Sequence, residues 1–188
     1  MKQTKSLTLL VPVMFTFFTM GFVDLVGIAT NYVKEDFTLS DTMANLLPSM
    51  VFLWFLVCSV PTGMLMNKIG RRKTVIISVL VTFLSLLVPL IEYSYSMMLI
   101  SFALLGMGNA MMQVSLNPLL SNVVSGHLLA SSLTLGQFFK AIASFLAPII
   151  TAWAVVEFGN WRMLYPIFAS ISLIAAFWLL FTSVEEQK

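Results

Sequence analysis

The chain has 188 residues, 59% of them hydrophobic and only 10% charged, with a formal net charge of +2. A soluble domain carries about 25% charged residues. This chain therefore lacks the polar surface of an ordinary soluble enzyme, a disordered segment or a nucleic-acid binder, and so small a net charge argues for no polyanionic partner. The single cysteine, Cys58, excludes a disulfide within the chain, and the mean hydropathy of +0.96 leaves the class of polytopic membrane proteins.

A helix needs about 20 apolar residues to cross the hydrocarbon core. Charges and turn residues cut the sequence into six such runs, predicted as helices over 7–32, 43–66, 74–91, 97–123, 128–156 and 162–181. The expected fold is all-α, one six-helix transmembrane unit over residues 1–188. A barrel would need short alternating segments instead.

The first run follows a basic head, Lys2 and Lys5, and resembles the start of a signal peptide. No A-x-A-like site ends it and the apolar stretch continues past Gly21, so the helix is expected to be retained. It carries an ionisable residue, Asp24, and a polar one seven positions on, Asn31. The second run holds Trp54, Pro61 and Gly63, and ends in the basic stretch NKIGRRK at 67–73. The third is almost purely apolar.

The fourth run places Asn109, Gln113 and Asn117 four residues apart. Each step leaves the next about 40° away, which makes one polar stripe roughly 12 Å long. The fifth run carries Thr134, Gln137, Lys140, Ala141 and Ser144 on a narrow face, and small residues such as Gly136 suit close helix packing. Prolines 61, 118 and 148 are expected to interrupt the second, fourth and fifth helices.

An ionisable group at the bilayer centre costs about 2.5–3.5 kcal/mol on insertion scales. Asp24 and Lys140 are therefore expected to face a hydrated interior, as an ion pair or a proton-coupling pair. Asn31, Trp54, Asn109, Gln113, Asn117 and Gln137 are the candidates for contact with a polar solute. His127 follows Ser125-Gly126 in a loop, too thin a context for a catalytic pair. No catalytic residue, metal-ligand set or cofactor motif is predicted, and an intramembrane enzyme is the weakest alternative. A six-helix subunit that binds a partner without transporting is the other.

Lys2, Lys5, Lys68, Arg71, Arg72, Lys73 and Lys188 fall on one side of the predicted spans, against Lys34 and Arg162 on the other. The positive-inside rule then puts both termini in the cytoplasm. Tyr32, Tyr93, Tyr95, Trp153 and Trp161 lie at the opposite helix ends, where an interfacial aromatic belt is expected. An offset of 87 residues pairs Met20-Gly21 with Met107-Gly108 and Pro61 with Pro148, an echo of two three-helix units with opposite orientation.

The segment GMLMNKIGRRK joins the second and third helices. Here Gly63 is expected to allow close helix approach and Gly70 to supply the positive φ of a tight turn. The arginines are expected to cap helix carbonyls or to pair with acids of a facing domain. The segment resembles the signature G-x-L-x-D-R/K-x-G-R-K of the major facilitator superfamily. Gly63, Leu65, Lys68, Gly70, Arg71 and Arg72 match, and Asn67 stands where the signature has aspartate. Asn117-Pro118, LTLGQFFKAIASF at 133–145 and FTLS at 37–40 are similar to the fucose permease branch.

The resemblance implies a twelve-helix secondary transporter of which this chain is the N-terminal half. Its partners would be the lipid bilayer, a small-molecule substrate such as a sugar, and a C-terminal six-helix half or a second chain. Its place would be the cell membrane, most simply a bacterial inner membrane. Proton coupling and a central cavity lined by the first and fourth helices, with parts of the second and fifth, come with that implication. Two departures stand out. The branch's fourth-helix carboxylate corresponds to Gln113, and a fifth-helix asparagine corresponds to Lys140, so substrate identity is not inherited.

Overall fold

The computed structural model describes residues 2–124, 126 and 128–182, with side chains from Leu9 onward. The first span is built from α1 (Lys2–Met20), a 3-10 turn (Gly21–Asp24) and α2 (Leu25–Asp36). The other spans are α3 (Asp41–Ile69), α4 (Arg71–Ile91), α5 (Tyr95–Val123), α6 (Leu128–Phe158), and a short 3-10 turn (Trp161–Met163) leading into α7 (Leu164–Phe181). Six spans are long and apolar enough to cross a membrane, and no strand occurs among the described residues. The fold class is all-α, as the composition predicts.

Helix ends differ from the predicted ones where side chains extend them. Ser40 Oγ accepts from Met43 N–H, and Ser94 Oγ accepts from Met97 N–H, each at 3.3 Å. Both are N-caps of the kind that lets a helix start in a polar flank. Gly70, at φ 96°, ends α3 and opens α4, a conformation that an L side chain rarely adopts.

The core divides into two apolar clusters. One gathers Phe22, Leu25, Leu47, Phe102, Leu105, Tyr165 and Phe168, with Phe22 and Phe168 stacked at 4.0 Å between centroids. The other gathers Val13, Phe17, Val79, Met112, Leu116, Leu119 and Leu179. The first span, α5 and α7 contribute much of both, and α4 contributes chiefly to the second. α3 and α6 contribute little and leave large side chains uncovered: Phe52 is 72% and Leu56 73% exposed on α3, and Phe145 is 70% exposed on α6.

Glycines mark the tightest crossings. A Cβ on Gly21 would collide with the Lys140 carbonyl and Ala143 of α6, and one on Gly106 would collide with the Val51 backbone of α3. The first span thus crosses the fifth as the fourth crosses the second, the correspondence that two inverted three-helix units require. Gly108, which the 87-residue offset pairs with Gly21, packs instead on Thr82 and Ser78 of α4.

Three expectations are corrected. Gly63 makes no close crossing among the described residues, because nothing lies within 4 Å of the Cβ it lacks. The helices containing Pro61, Pro118 and Pro148 run through them unbroken, and the break in regular α-helix comes at Gly21–Asp24 instead. The aromatic residues at the Asp36 end do not form a simple lipid-facing belt. Trp161 is 6% exposed, stacks on Tyr32 at 5.1 Å and meets Tyr93 edge-on at 6.2 Å. Trp153 alone of the tryptophans named there is exposed, at 49%.

Candidate functional site

The site begins with Gly21. Without a side chain there, the first span lies directly on α6 at Lys140 and Ala143. The 3-10 turn that follows carries Asp24 to the same level. The Ser144 hydroxyl donates to Asp24 Oδ2 and also lies 3.0 Å from the Lys140 carbonyl oxygen. Ser144 is one helical turn beyond Lys140, so a single stretch of α6 presents the serine and the ammonium side by side.

Asp24 and Lys140 line one cavity of about 490 Å³ together with Asn109 and Gln113 of α5. Pro48, Val51, Phe52 and Phe55 of α3 and Val23, Val26 and Gly27 of the first span complete the wall. All four polar residues are among those expected from the sequence to face a hydrated interior or a polar solute. The structure brings Asp24 and Lys140 to one cavity but not into direct contact: among the described residues the ion pair within 4.0 Å is Lys34–Asp41, at 2.5 Å and far along the first span. The partner held by Asp24 is Ser144.

Asn109 is 8% exposed, and its Oδ1 is buried with no hydrogen-bond partner. An orphaned buried acceptor costs about 1–3 kcal/mol, and because this oxygen has no exposed surface it lies behind the cavity wall rather than open to a solute. Gln113, one turn on, is exposed into the cavity. Asn117, the third member of the predicted stripe, does not line the cavity, although its Oδ1 is also buried and unpartnered.

The remaining candidates lie elsewhere. Asn31 lines a separate recess with Lys34, Glu35, Thr38 and Leu39. Gln137 is exposed and does not line the central cavity, and Trp54 is half-buried beside it without lining it. Phe52 and Phe55 take the place expected of Trp54. They are three residues apart and share a helix face, whereas Trp54 points away from both. That spacing was the available signal. His127 lies outside the described residues.

The Arg71 end is structurally committed. Arg71 Nη1 donates to Pro118 O at 3.0 Å, Ser121 Oγ at 3.2 Å and Asn122 Oδ1 at 2.6 Å. Arg72 donates from Nε and Nη2 to Leu179 O at 3.2 and 3.1 Å, and from Nη2 to Leu180 O at 2.5 Å. The arginines therefore satisfy carbonyls in the last turns of α5 and α7, the first of the two roles expected for them. Asn67 and Lys68 remain exposed.

At the other end Asp36 Oδ2 accepts from Tyr93 OH at 2.6 Å and from Trp161 Nε1 at 2.9 Å. The Arg162 guanidinium sits 4.4 Å from the Tyr93 ring centroid. Burial first, and the bond to Asp36 second, hold the Tyr93 hydroxyl above its ordinary ionisation range. This cluster ties the end of α2 to the α4–α5 loop and to the start of the last span.

Comparison with known proteins gives two curated relatives. Both are named glucose/galactose transporter, one from Brucella abortus biovar 1 (strain 9-941) and one from Brucella abortus (strain 2308). Each is 28% identical to this chain over 156 residues, which cover 81% of the chain and 36% of the relative. The chain thus spans about a third of the length of the curated relatives it matches. The family model described as Major Facilitator Superfamily matches residues 12–188. That match reaches all six spans, and the chain therefore belongs to the major facilitator superfamily, as a multi-pass membrane protein and not an enzyme.

Proposed function

We propose that this chain is the N-terminal half of a secondary active transporter that carries a sugar or another small polar solute by alternating access, coupled to protons. The observation that carries the reading is the 490 Å³ cavity, with one carboxylate, one ammonium and two amides in an otherwise apolar wall. A solute path through lipid needs such a hydrated seam, and ionisable residues within spans are rarely retained without one. The cavity adjoins α3 and α6, the helices that leave apolar side chains such as Phe52 and Phe145 uncovered. A second six-helix half, laid on that face, would complete the cavity near the bilayer midplane.

In this reading Asp24 takes up the coupling proton, and Lys140 is the opposite charge across the same cavity. Asn109 and Gln113 hydrogen-bond the solute. Alternation rocks one half against the other, with the Arg71 loop keeping the ends of α5 and α7 together. Both termini face the cytoplasm and the membrane is the cell membrane, a bacterial inner membrane in the simplest case.

The test is uptake of labelled glucose and galactose into proteoliposomes, with and without an imposed pH gradient. One preparation holds residues 1–188 alone. The other holds them with the part of the Brucella transporter that the match does not cover. Gradient-driven accumulation only with both halves, lost in Asp24→Asn, is the expected result. Saturable uptake by residues 1–188 alone would replace the reading with a homodimeric half-transporter. No accumulation in either preparation overturns it.

A further inference from the structure

Within the transport reading, we infer that the cavity selects a solute carrying a carboxylate, with Lys140 as its counter-charge. The two charges in the cavity differ in whether they already have a partner. Asp24 is the one acid lining it, and its Oδ2 is engaged by Ser144. Lys140 is the one cation lining it, and no carboxylate lies within 4.0 Å of its ammonium among the described residues. The apolar Val51, Phe52 and Phe55 beside the ammonium offer it no competing partner, so it is available to an anion that enters the cavity.

The amides extend the match. Asn109 lines the same cavity and brings a side-chain amide to its wall. Gln113 offers both a donor and an acceptor one turn along. Phe52 and Phe55 supply an apolar surface for a ring face. The complementary ligand is therefore a hydroxylated carboxylate of monosaccharide size, a sugar acid, whose carboxylate sits on Lys140 and whose hydroxyls meet Asn109 and Gln113. A proton taken up by Asp24 would leave Lys140 to the solute, so anion and proton would enter together with no net charge moved.

The probe pair is D-glucuronate and D-glucose, which differ only in a carboxylate against a hydroxymethyl group. The full chain is reconstituted in nanodiscs, and reaction of Lys140 with a small amine-directed reagent is followed by peptide mass spectrometry. Expected is protection by glucuronate at a concentration about tenfold below that needed with glucose. Equilibrium dialysis with labelled solutes extends the test to variants. Lys140→Gln should erase the preference for glucuronate and Lys140→Arg should keep it. Asp24→Asn, which removes the competing acid, should tighten glucuronate further. A purely structural role for either residue would not move the two variants in opposite directions. Equal or better protection by glucose overturns the inference and leaves the transport reading intact. Protection by neither solute also overturns the inference, and the uptake assay with both halves decides the transport reading separately.

Discussion

Two sets of charged side chains in this chain live under opposite conditions. At the Arg71 end, Arg71 and Arg72 each reach several acceptors on α5 and α7 at 2.5–3.2 Å. In the middle of the bundle, Asp24 holds one serine hydroxyl, and Lys140 faces an open cavity with no ion pair among the described residues. Cations at helix ends are useful to the fold because the last turns present unsatisfied carbonyls. A cation in mid-membrane has no such partner supplied by helix geometry, so its presence needs an explanation other than folding. Hydrogen-bond saturation separates the charges that build the bundle from those available for chemistry.

The difference can be broken at its strongest point first. Arg71→Ala strands the Asn122 amide oxygen and takes a charged donor from the Pro118 carbonyl, which keeps the Ser121 hydroxyl, and should cost about 2 kcal/mol in thermal unfolding of the detergent-solubilised chain. Lys140→Gln, which removes a charge without a committed partner, should leave the melting temperature unchanged or raise it. If Lys140→Gln destabilises as much as Arg71→Ala, the separation between the two sets fails.

The next comparison uses glycine. Gly21→Ala would drive a methyl group into the Lys140 carbonyl and the Ala143 side chain, neither of which can swing aside. Overpacking of this kind costs about 2 kcal/mol, and it should also move Asp24 away from Ser144. Gly63→Ala meets nothing within 4 Å inside α3, where alanine is the better helix former, and should raise stability by up to about 1 kcal/mol. Parallel melting curves of the two variants measure the contrast.

The six spans were legible because length and apolar content alone decide whether a helix can cross a membrane. The polar wall was half legible. Asp24, Lys140, Asn109 and Gln113 were visible as polar groups in apolar helices. Their neighbours were misplaced for geometric reasons. Asn31 shares the side of Asp24, but seven residues put it about 10 Å along the axis and into another recess. Asn117 has drifted about 80° from Asn109 in two steps of four. Phe55 carried no polar mark to set it apart from the rest of α3. The crossing at Gly21 depends on which helix lies opposite, and an isolated sequence does not state that. The aromatic cluster around Trp161 escaped notice for the same reason: position at a helix end does not reveal whether a ring faces lipid or its own bundle.

Two carboxylates sharpen the comparison further. Asp36 is held by Tyr93 and Trp161 among packed rings, whereas Asp24 is held by Ser144 in an open cavity. Trp161→Phe removes one neutral donor to a charged acceptor while keeping the ring stacked on Tyr32, and should cost about 1.5 kcal/mol. Ser144→Ala leaves Asp24 exposed to water, which replaces the lost hydroxyl, so its cost should stay under about 0.5 kcal/mol. Thermal melts compare the pair directly, and equal losses would mean that Asp24 is as structurally committed as Asp36.

The smallest effect is expected between Asp24 and Lys140 themselves. A direct buried pair would give a large coupling energy in a double-mutant cycle, because each single variant would leave an uncompensated charge. Here no carboxylate lies within 4.0 Å of Lys140 among the described residues, and Ser144 donates to Oδ2 of Asp24. Interaction across a hydrated cavity is screened, and the cycle Asp24→Asn, Lys140→Gln and their combination should show a coupling of about 0.5 kcal/mol in stability. The same variants assayed for gradient-driven uptake with a second half should instead be strongly non-additive, since either change alone disables one exchange of proton and solute. A stability coupling several times larger would mean that the two charges close into a structural pair, and the cavity would then lose the free cation on which selection of an anionic solute depends.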